Sequence, residues 1–284
     1  MAFQYAYAIV SKIPDSFEAY RVDKGNSASR EWLENAHSEC TEFVETLRRI
    51  GVDILELKAE ERHPECVKVD DTAVIINGTA LMCNPYGSHR QGEVNLIRQT
   101  LKKEVGVKIV ELNTENAQVE GSDVLFTGQE IIVGLSNHTN EDGAQAVARA
   151  FPEYATSMVE VRAPYRSLKD AVGVAGINVL AVGESDAARA MLKDISKVVS
   201  HTYRIITLPE DHAANVLYVN HYLMHWSPKM IPKSIGVSCA GLFQLCNNFL
   251  TVLHVIRLKL WTVSHTLVTL PFHLVILLMR YQRE

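Results

Sequence analysis

The chain has 284 residues, 47% hydrophobic and 21% charged, with a net charge of −5. Such a composition can bury a core, and its weak negative balance offers no field to phosphate backbones, which argues against disorder and against nucleic acid as a partner. Five cysteines, an odd number, argue against a secreted disulfide scaffold; with no basic-then-apolar leader in MAFQYAYAIVSKIPDSF, a cytoplasmic location is expected.

The first element is an apolar strand, YAYAIVSKI, with no helix before it. Residues Arg30–Ile50 predict an amphipathic helix, since Trp32, Leu33, Ala36, Cys40, Phe43, Val44 and Leu47 recur at helical spacing. A short strand, Val52–Leu57, follows. The polar loop HPECVKVDD then leads into a hairpin, TAVIINGTALMC, whose Asn77-Gly78 pair supplies the positive φ angles of a tight turn. The same order returns about 52 residues later: helix Gln91–Lys103, strand Val107–Leu112, loop ENAQVEGS and hairpin DVLFTGQEIIVGLS. A third unit runs from helix Glu141–Phe151 through SMVEV to AGINVLAVG. A fourth takes helix Ser185–Val199, strand YRIITL, loop PEDHAA and hairpin NVLYVNHYLMHW.

A unit of this kind cannot cover its own sheet, so several must stack around an axis. The expected fold is α/β: a propeller of five ββαβ modules, with the N-terminal strand completing the last unit and a site where the loops converge. An ordinary doubly wound sheet is the alternative, but its crossovers leave the hairpins unexplained.

The loops ahead of the hairpins carry Glu65, Asp70 and Asp71 in the first unit and Glu120 and Asp123 in the second. Carboxylates gathered on one axis repel unless a cation sits among them, and a planar guanidinium can pair with several at once. Taken singly, each of these acids can equally cap a turn or face solvent. Nothing resembles a phosphate-binding loop, a zinc motif or a nucleophile elbow, so neither a cofactor nor a metal is expected.

PECVKVDDTAVI, ENAQVEGSDVLFTGQEIIVGLSNHTN, SLKDAVGVAGINVLAVG and LPEDHAANVLYVN together resemble the dimethylarginine dimethylaminohydrolase family, over about Phe3–Gly236. The resemblance implies the pentein fold, a methylated arginine or arginine-like substrate, and hydrolysis to citrulline and an amine by a cysteine nucleophile, a histidine and carboxylates. It places Glu65, Asp70 and Asp71 around the guanidinium, Glu120 as the orienting carboxylate, and Arg90 and His138 as the clamp on the substrate's carboxylate. Glu65 and Glu120 stand where the family has Asp, and Asp70 where it has Glu, each one methylene different. The catalytic histidine aligns with Ser167, whose hydroxyl cannot shuttle protons near neutral pH. Lys68 replaces an apolar aromatic and either competes for the carboxylates or, as expected, turns outward. His212 could replace the lost histidine, although a solvated turn is the expected setting. Cys66 belongs to no metal-ligand spacing, and Cys40 falls on the apolar stripe of the first helix.

Beyond Gly236 the composition changes. Ser234–Ile256 and Leu260–Met279 are runs of 23 and 20 residues without Asp, Glu, Lys or Arg. Residues 1–236 are expected to form the pentein-like domain, with the fifth module truncated or replaced by an apolar helical tail over 237–284. That tail is a translated intron or alternative exon, a membrane anchor, or a buried helical segment. Cys239 and Cys246 alone lie within reach of the nucleophile's place, and GLFQLCNN around Cys246 faintly echoes a Gly-Leu-Leu ahead of the family's cysteine. Two functions follow: a cytosolic hydrolase of methylated arginine, or a non-catalytic relative that keeps a cation pocket for an arginine-like ligand or a protein partner.

Overall fold

In the first strand, β1 (Tyr5–Ser11), Ala8, Ile9, Val10 and Ser11 are buried in succession, so both faces are covered and the strand is interior to its sheet. This computed structural model describes residues 3–23, 30–226, 228–237, 254–257 and 275–279. Helices α1 (Ser16–Asp23) and α2 (Arg30–Arg49) follow. The stripe predicted for α2 is the face it buries: Trp32, Leu33, Ala36, Phe43, Val44 and Leu47 pack with Phe17 and Trp226 in one core cluster. Each large side chain buried there contributes on the order of 1.5–3 kcal/mol. After α2, β2 (Asp53–Leu57) lies parallel to β1.

Three further sheets repeat one plan. β3 (Ala73–Ile76) and β4 (Thr79–Met82) form a hairpin whose turn residues, Asn77 and Gly78, have φ of 46° and 76°, as the Asn-Gly signal requires. Helix α3 (Gln91–Thr100) then returns the chain so that β5 (Lys108–Val110) adds parallel to β4. β6 (Val124–Phe126), β7 (Glu130–Leu135), α4 (Glu141–Ala150) and β8 (Ala155–Glu160) form the next unit. After the one-turn helix α5 (Leu168–Ala171), β9 (Val172–Gly176), β10 (Val179–Gly183), α6 (Asp186–Val198) and β11 (Arg204–Leu208) repeat it. Asn140 and Ser185 cap α4 and α6 by accepting from Gly143 N–H and Ala188 N–H.

The remaining two sheets involve both ends of the chain, and one of them corrects an expectation. β12 (Leu217–Val219) and β13 (Tyr222–His225) are completed by β14 (His254–Arg257), parallel to β13. β15 (Val275–Met279) pairs antiparallel with β1, giving the order β15-β1-β2. The N-terminal strand, which no helix precedes, thus joins the last strand of the chain in one sheet, as expected of it. It is the central strand of that sheet, with β15 and β2 on its two edges. Nine residues of the expected helical tail are strand instead, and Val275, Ile276 and Leu278 are buried. Among the described residues the fold is mixed α/β with five three-stranded sheets, and no helix is long and apolar enough to cross a membrane. Of the candidate membrane segment Leu260–Met279, residues 275–279 are β15 and the others lie outside the described residues.

Short turns stand ahead of the hairpins: Pro64–Val67, Val69–Thr72, Gly121–Asp123, α5 and Asp211–Ala214. The second, third and fourth of these touch one another, which gathers their polar side chains at one place. Gly121 makes the closeness possible, since a Cβ there would stand 1.9 Å from the Asp70 carbonyl oxygen.

Candidate functional site

The turn residues Glu65, Asp71 and Glu120 are buried, with Asp70 slightly open to solvent. Four carboxylates this close demand cations, and the chain provides them. Lys68 Nζ donates to Glu65 Oε1 at 2.6 Å, with little of either side chain exposed. The expected outward orientation of Lys68 is thus corrected: a buried carboxylate three residues away, in the same tight turn, draws the ammonium inward. Although burial alone raises the Glu65 carboxyl, the charges of Lys68 and Arg90 outweigh it and hold the group at about 2. His89 Nε2 lies 3.1 Å from the second Glu65 oxygen.

Lys169 Nζ spans both oxygens of Asp70, at 2.8 and 3.0 Å. Arg166 donates to Glu120 Oε2 at 2.8 Å and stands 3.8 Å from Asp71. Burial, and next the charge of Asp71, push the Glu120 carboxyl up to about 7, against the pull of Arg166. A carboxyl at that value exchanges protons near neutral pH. Its Oε1 accepts from Tyr86 N–H.

Arg90 is used differently from the substrate clamp expected of it. It is fully buried; its guanidinium donates to Asp71 at 2.9 Å, to Glu93 at 2.9 Å and to the Lys68 carbonyl at 3.2 Å. The fork geometry of guanidinium suits this bridging role between two buried acids. His138, the other expected clamp, packs against Tyr86 with ring centroids 5.1 Å apart. Burial and the nearby Arg166 charge lower its pKa, so the ring is neutral at physiological pH. Asp123 pairs with no cation among the described residues: Ser136 and Thr139 hydroxyls and Leu168 N–H donate to it, while burial raises it to about 6.

Ser167 is buried beside these groups. Its N–H donates to Asp170, and the two residues form a capping box at the start of α5. His212 hydrogen-bonds the Met230 carbonyl and packs edge-on against Trp226, a structural setting rather than the solvated turn expected. The thiols of Cys40, Cys66 and Cys83 are all pushed up by burial, Cys40 to about 11, so none is a thiolate near neutrality. Cys239 and Cys246 lie outside the described residues. Among the described residues no group of His, Cys, Asp and Glu could hold a metal ion.

Sequence reasoning missed Arg166 and Lys169. Their signal is present: the third hairpin is preceded by YRSLKD, where the first two hairpins are preceded by acids. A loop with the opposite charge at the same place in the repeat is the natural partner of the acidic ones.

Residues 14–173, more than half of the chain, match the family described as "N,N dimethylarginine dimethylhydrolase, eukaryotic". Human DDAH2 is 34% identical over 270 residues, covering 85% of this chain and 93% of that protein. The N(G),N(G)-dimethylarginine dimethylaminohydrolase of Pseudomonas aeruginosa is 28% identical over 183 residues, 63% of this chain and 68% of that one. Among solved structures, dimethylarginine dimethylaminohydrolase from Pseudomonas aeruginosa complexed with citrulline superposes with a TM-score of 0.71 at 21% identity, covering 89% and 92% of the two chains. The substrate-bound N-terminal domain of ArgZ, an arginine dihydrolase from cyanobacteria, gives 0.73 at 14% identity over 97% and 98%. At those identities the superpositions establish the shared pentein fold.

Proposed function

The chain belongs to the dimethylarginine dimethylaminohydrolase family, and from that premise we propose that it is a non-catalytic member whose guanidinium pocket is held by its own cations. One observation carries this conclusion. Each carboxylate expected in the site already faces a lysine or arginine of the chain, at 2.6 Å for Glu65, 2.8 Å for Asp70 and Glu120, and 2.9 Å for Asp71. An arginine-like molecule, or the arginine of a protein partner, binds here by displacing Lys68 or Arg166. Serine at position 167 supports the same conclusion, since it leaves the expected proton shuttle without an imidazole. We further place the five sheets as modules of one propeller around this cluster. In that arrangement residues 237–284 are a divergent extension that lends two strands to the domain at 1–236, and the protein is cytosolic.

A second function stays in play because Glu120 titrates near neutrality, as a proton-transferring carboxyl should. It makes the chain a hydrolase of methylated arginine with Cys246 or Cys239 as nucleophile. One assay separates the two: citrulline release from asymmetric dimethylarginine by the whole chain, beside Cys239→Ser and Cys246→Ser. No release is expected, while arginine raises the thermal stability of Lys68→Ala more than that of the parent chain. Release abolished by one cysteine substitution overturns the non-catalytic proposal.

A further inference from the structure

Four cations of the chain face the acid cluster, and one of them is held differently from the rest. Arg90 is fully buried between Asp71 and Glu93, Lys169 spans both oxygens of Asp70, and Lys68 lies on Glu65 with 17% of its side chain exposed. Arg166 is 39% exposed, and its side chain makes one hydrogen bond among the described residues, from a terminal nitrogen to Glu120 Oε2 at 2.8 Å. The same nitrogen stands 3.8 Å from Asp71, outside hydrogen-bond reach. Taking away Lys68 or Lys169 strips Glu65 or Asp70 of its closest cation. Taking away Arg166 leaves Asp71 with Arg90 at 2.9 Å, so Glu120 alone loses its partner. The freed guanidinium is not stranded either, because it already reaches water.

Glu120 can lose its charge in place. Its N–H donates to the Thr139 hydroxyl and its Oε1 accepts from Tyr86 N–H, two contacts that do not depend on Arg166. The acids around it have partners of their own: Lys169 for Asp70, Arg90 for Asp71, and the Ser136 and Thr139 hydroxyls for Asp123. Asp170, on α5, accepts from the Arg166 and Ser167 N–H groups, and His138 is neutral at physiological pH. Arg90 also acts on Glu120, but its donors are committed to Asp71 and Glu93. Burial and the charge of Asp71 push the Glu120 carboxyl up to about 7, so a proton arrives as pH falls through neutrality and Arg166 loses its ionised acceptor. We propose that Arg166 is a proton-released gate over the acid cluster: when Glu120 takes a proton, the Arg166 guanidinium leaves for solvent while Lys68, Arg90 and Lys169 stay. The proposal rests on the reading that the chain's own cations hold this pocket, and it makes access to Glu120 depend on pH.

The test is arginine labelling of the whole protein by phenylglyoxal. The reagent takes both terminal nitrogens of a guanidinium, and Glu120 holds one of those of Arg166. Labelling of Arg166 is read by peptide mass spectrometry against Arg204, an exposed arginine of β11, so that the reagent's own pH dependence cancels. In the parent chain the ratio of Arg166 to Arg204 is expected to rise about tenfold from pH 8.5 to pH 6, with its midpoint near 7. In Glu120→Gln, whose amide offers a neutral oxygen at every pH, the ratio is expected to be high and flat. A flat ratio in the parent, or the same rise in Glu120→Gln, overturns the gate. Should Glu120→Gln not fold, the ratio in the parent decides alone. Citrulline release overturns the non-catalytic reading without changing this ratio, so the two fail separately.

Discussion

Replacing Lys68 by Met removes the charge that faces Glu65 while keeping most of the apolar stem. The Glu65 carboxyl is held at about 2 against an ordinary value of 4.5. At 1.36 kcal/mol per pKa unit that depression is about 3 kcal/mol, shared among Lys68, Arg90 and the hydrogen bonds after the opposing cost of burial. Lys68 is the largest of the favourable contributions, and its side chain is 17% exposed. Full loss of a partner for a buried charge costs about 3–5 kcal/mol. Glu65 keeps His89 and Arg90 nearby, so about 2 kcal/mol is expected at pH 7. Because the folded pKa is depressed, the stabilisation is present above 4.5 and lost as pH falls toward 2. The gap between parent and variant, measured by urea unfolding with tryptophan fluorescence, should therefore be full at pH 7, smaller at pH 3 and nearly closed at pH 2. Arginine in the buffer should stabilise the variant more than the parent. A gap under about 0.5 kcal/mol at pH 7 would mean that the pair behaves as a solvated surface contact. A gap independent of pH would assign the effect to the stem's packing and refute the electrostatic account.

In Arg166→Met, the Glu120 carboxyl should rise further above about 7, since Arg166 is what pulls it down. A raised carboxyl costs stability above its unfolded pKa, so the variant loses most at alkaline pH, and carboxyl ¹³C NMR titration reads the shift. Gly121→Ala should destabilise by more than about 3 kcal/mol or fail to fold, because the new methyl would stand 1.9 Å from the Asp70 carbonyl oxygen. Ile276→Asp places a carboxylate at a 3% exposed position opposite Ile9 and should cost about 4 kcal/mol in thermal unfolding. An unchanged melting temperature would show that β15 does not pair with β1.

The repeating unit was legible because its signals are local. The apolar stripe of α2, the Asn77-Gly78 turn and the short apolar strand YAYAIVSKI each depend on a few adjacent residues, and each becomes the element it predicts. The acids were legible for the same reason, since their place in the repeat can be counted. What the sequence could not carry was partnership at long range. Lys169 reaches Asp70 across 99 residues and Arg166 reaches Glu120 across 46, and no local pattern encodes those distances. β15 failed for a different reason. A run of apolar residues lacks a period, so strand, buried helix and membrane span look alike until a neighbour is found, and β1 is that neighbour.

On the proposed reading, the chain's own cations also explain how such a cluster of acids persists. Glu65, Asp70, Asp71, Glu93 and Glu120 are held together by backbone contacts among their turns and by α3, so their repulsion cannot be relieved by moving apart. An empty pocket would have to protonate several of them, and burial has already pushed Glu93 and Glu120 in that direction. Lys68, Arg90, Arg166 and Lys169 answer four of the five charges from within the chain. A cation supplied on the same chain is present at every concentration of ligand and loses no translational freedom on binding, whereas an arginine from solution must offset both. On the proposed reading, Lys68 and Arg166 are the two of these four that a ligand must displace.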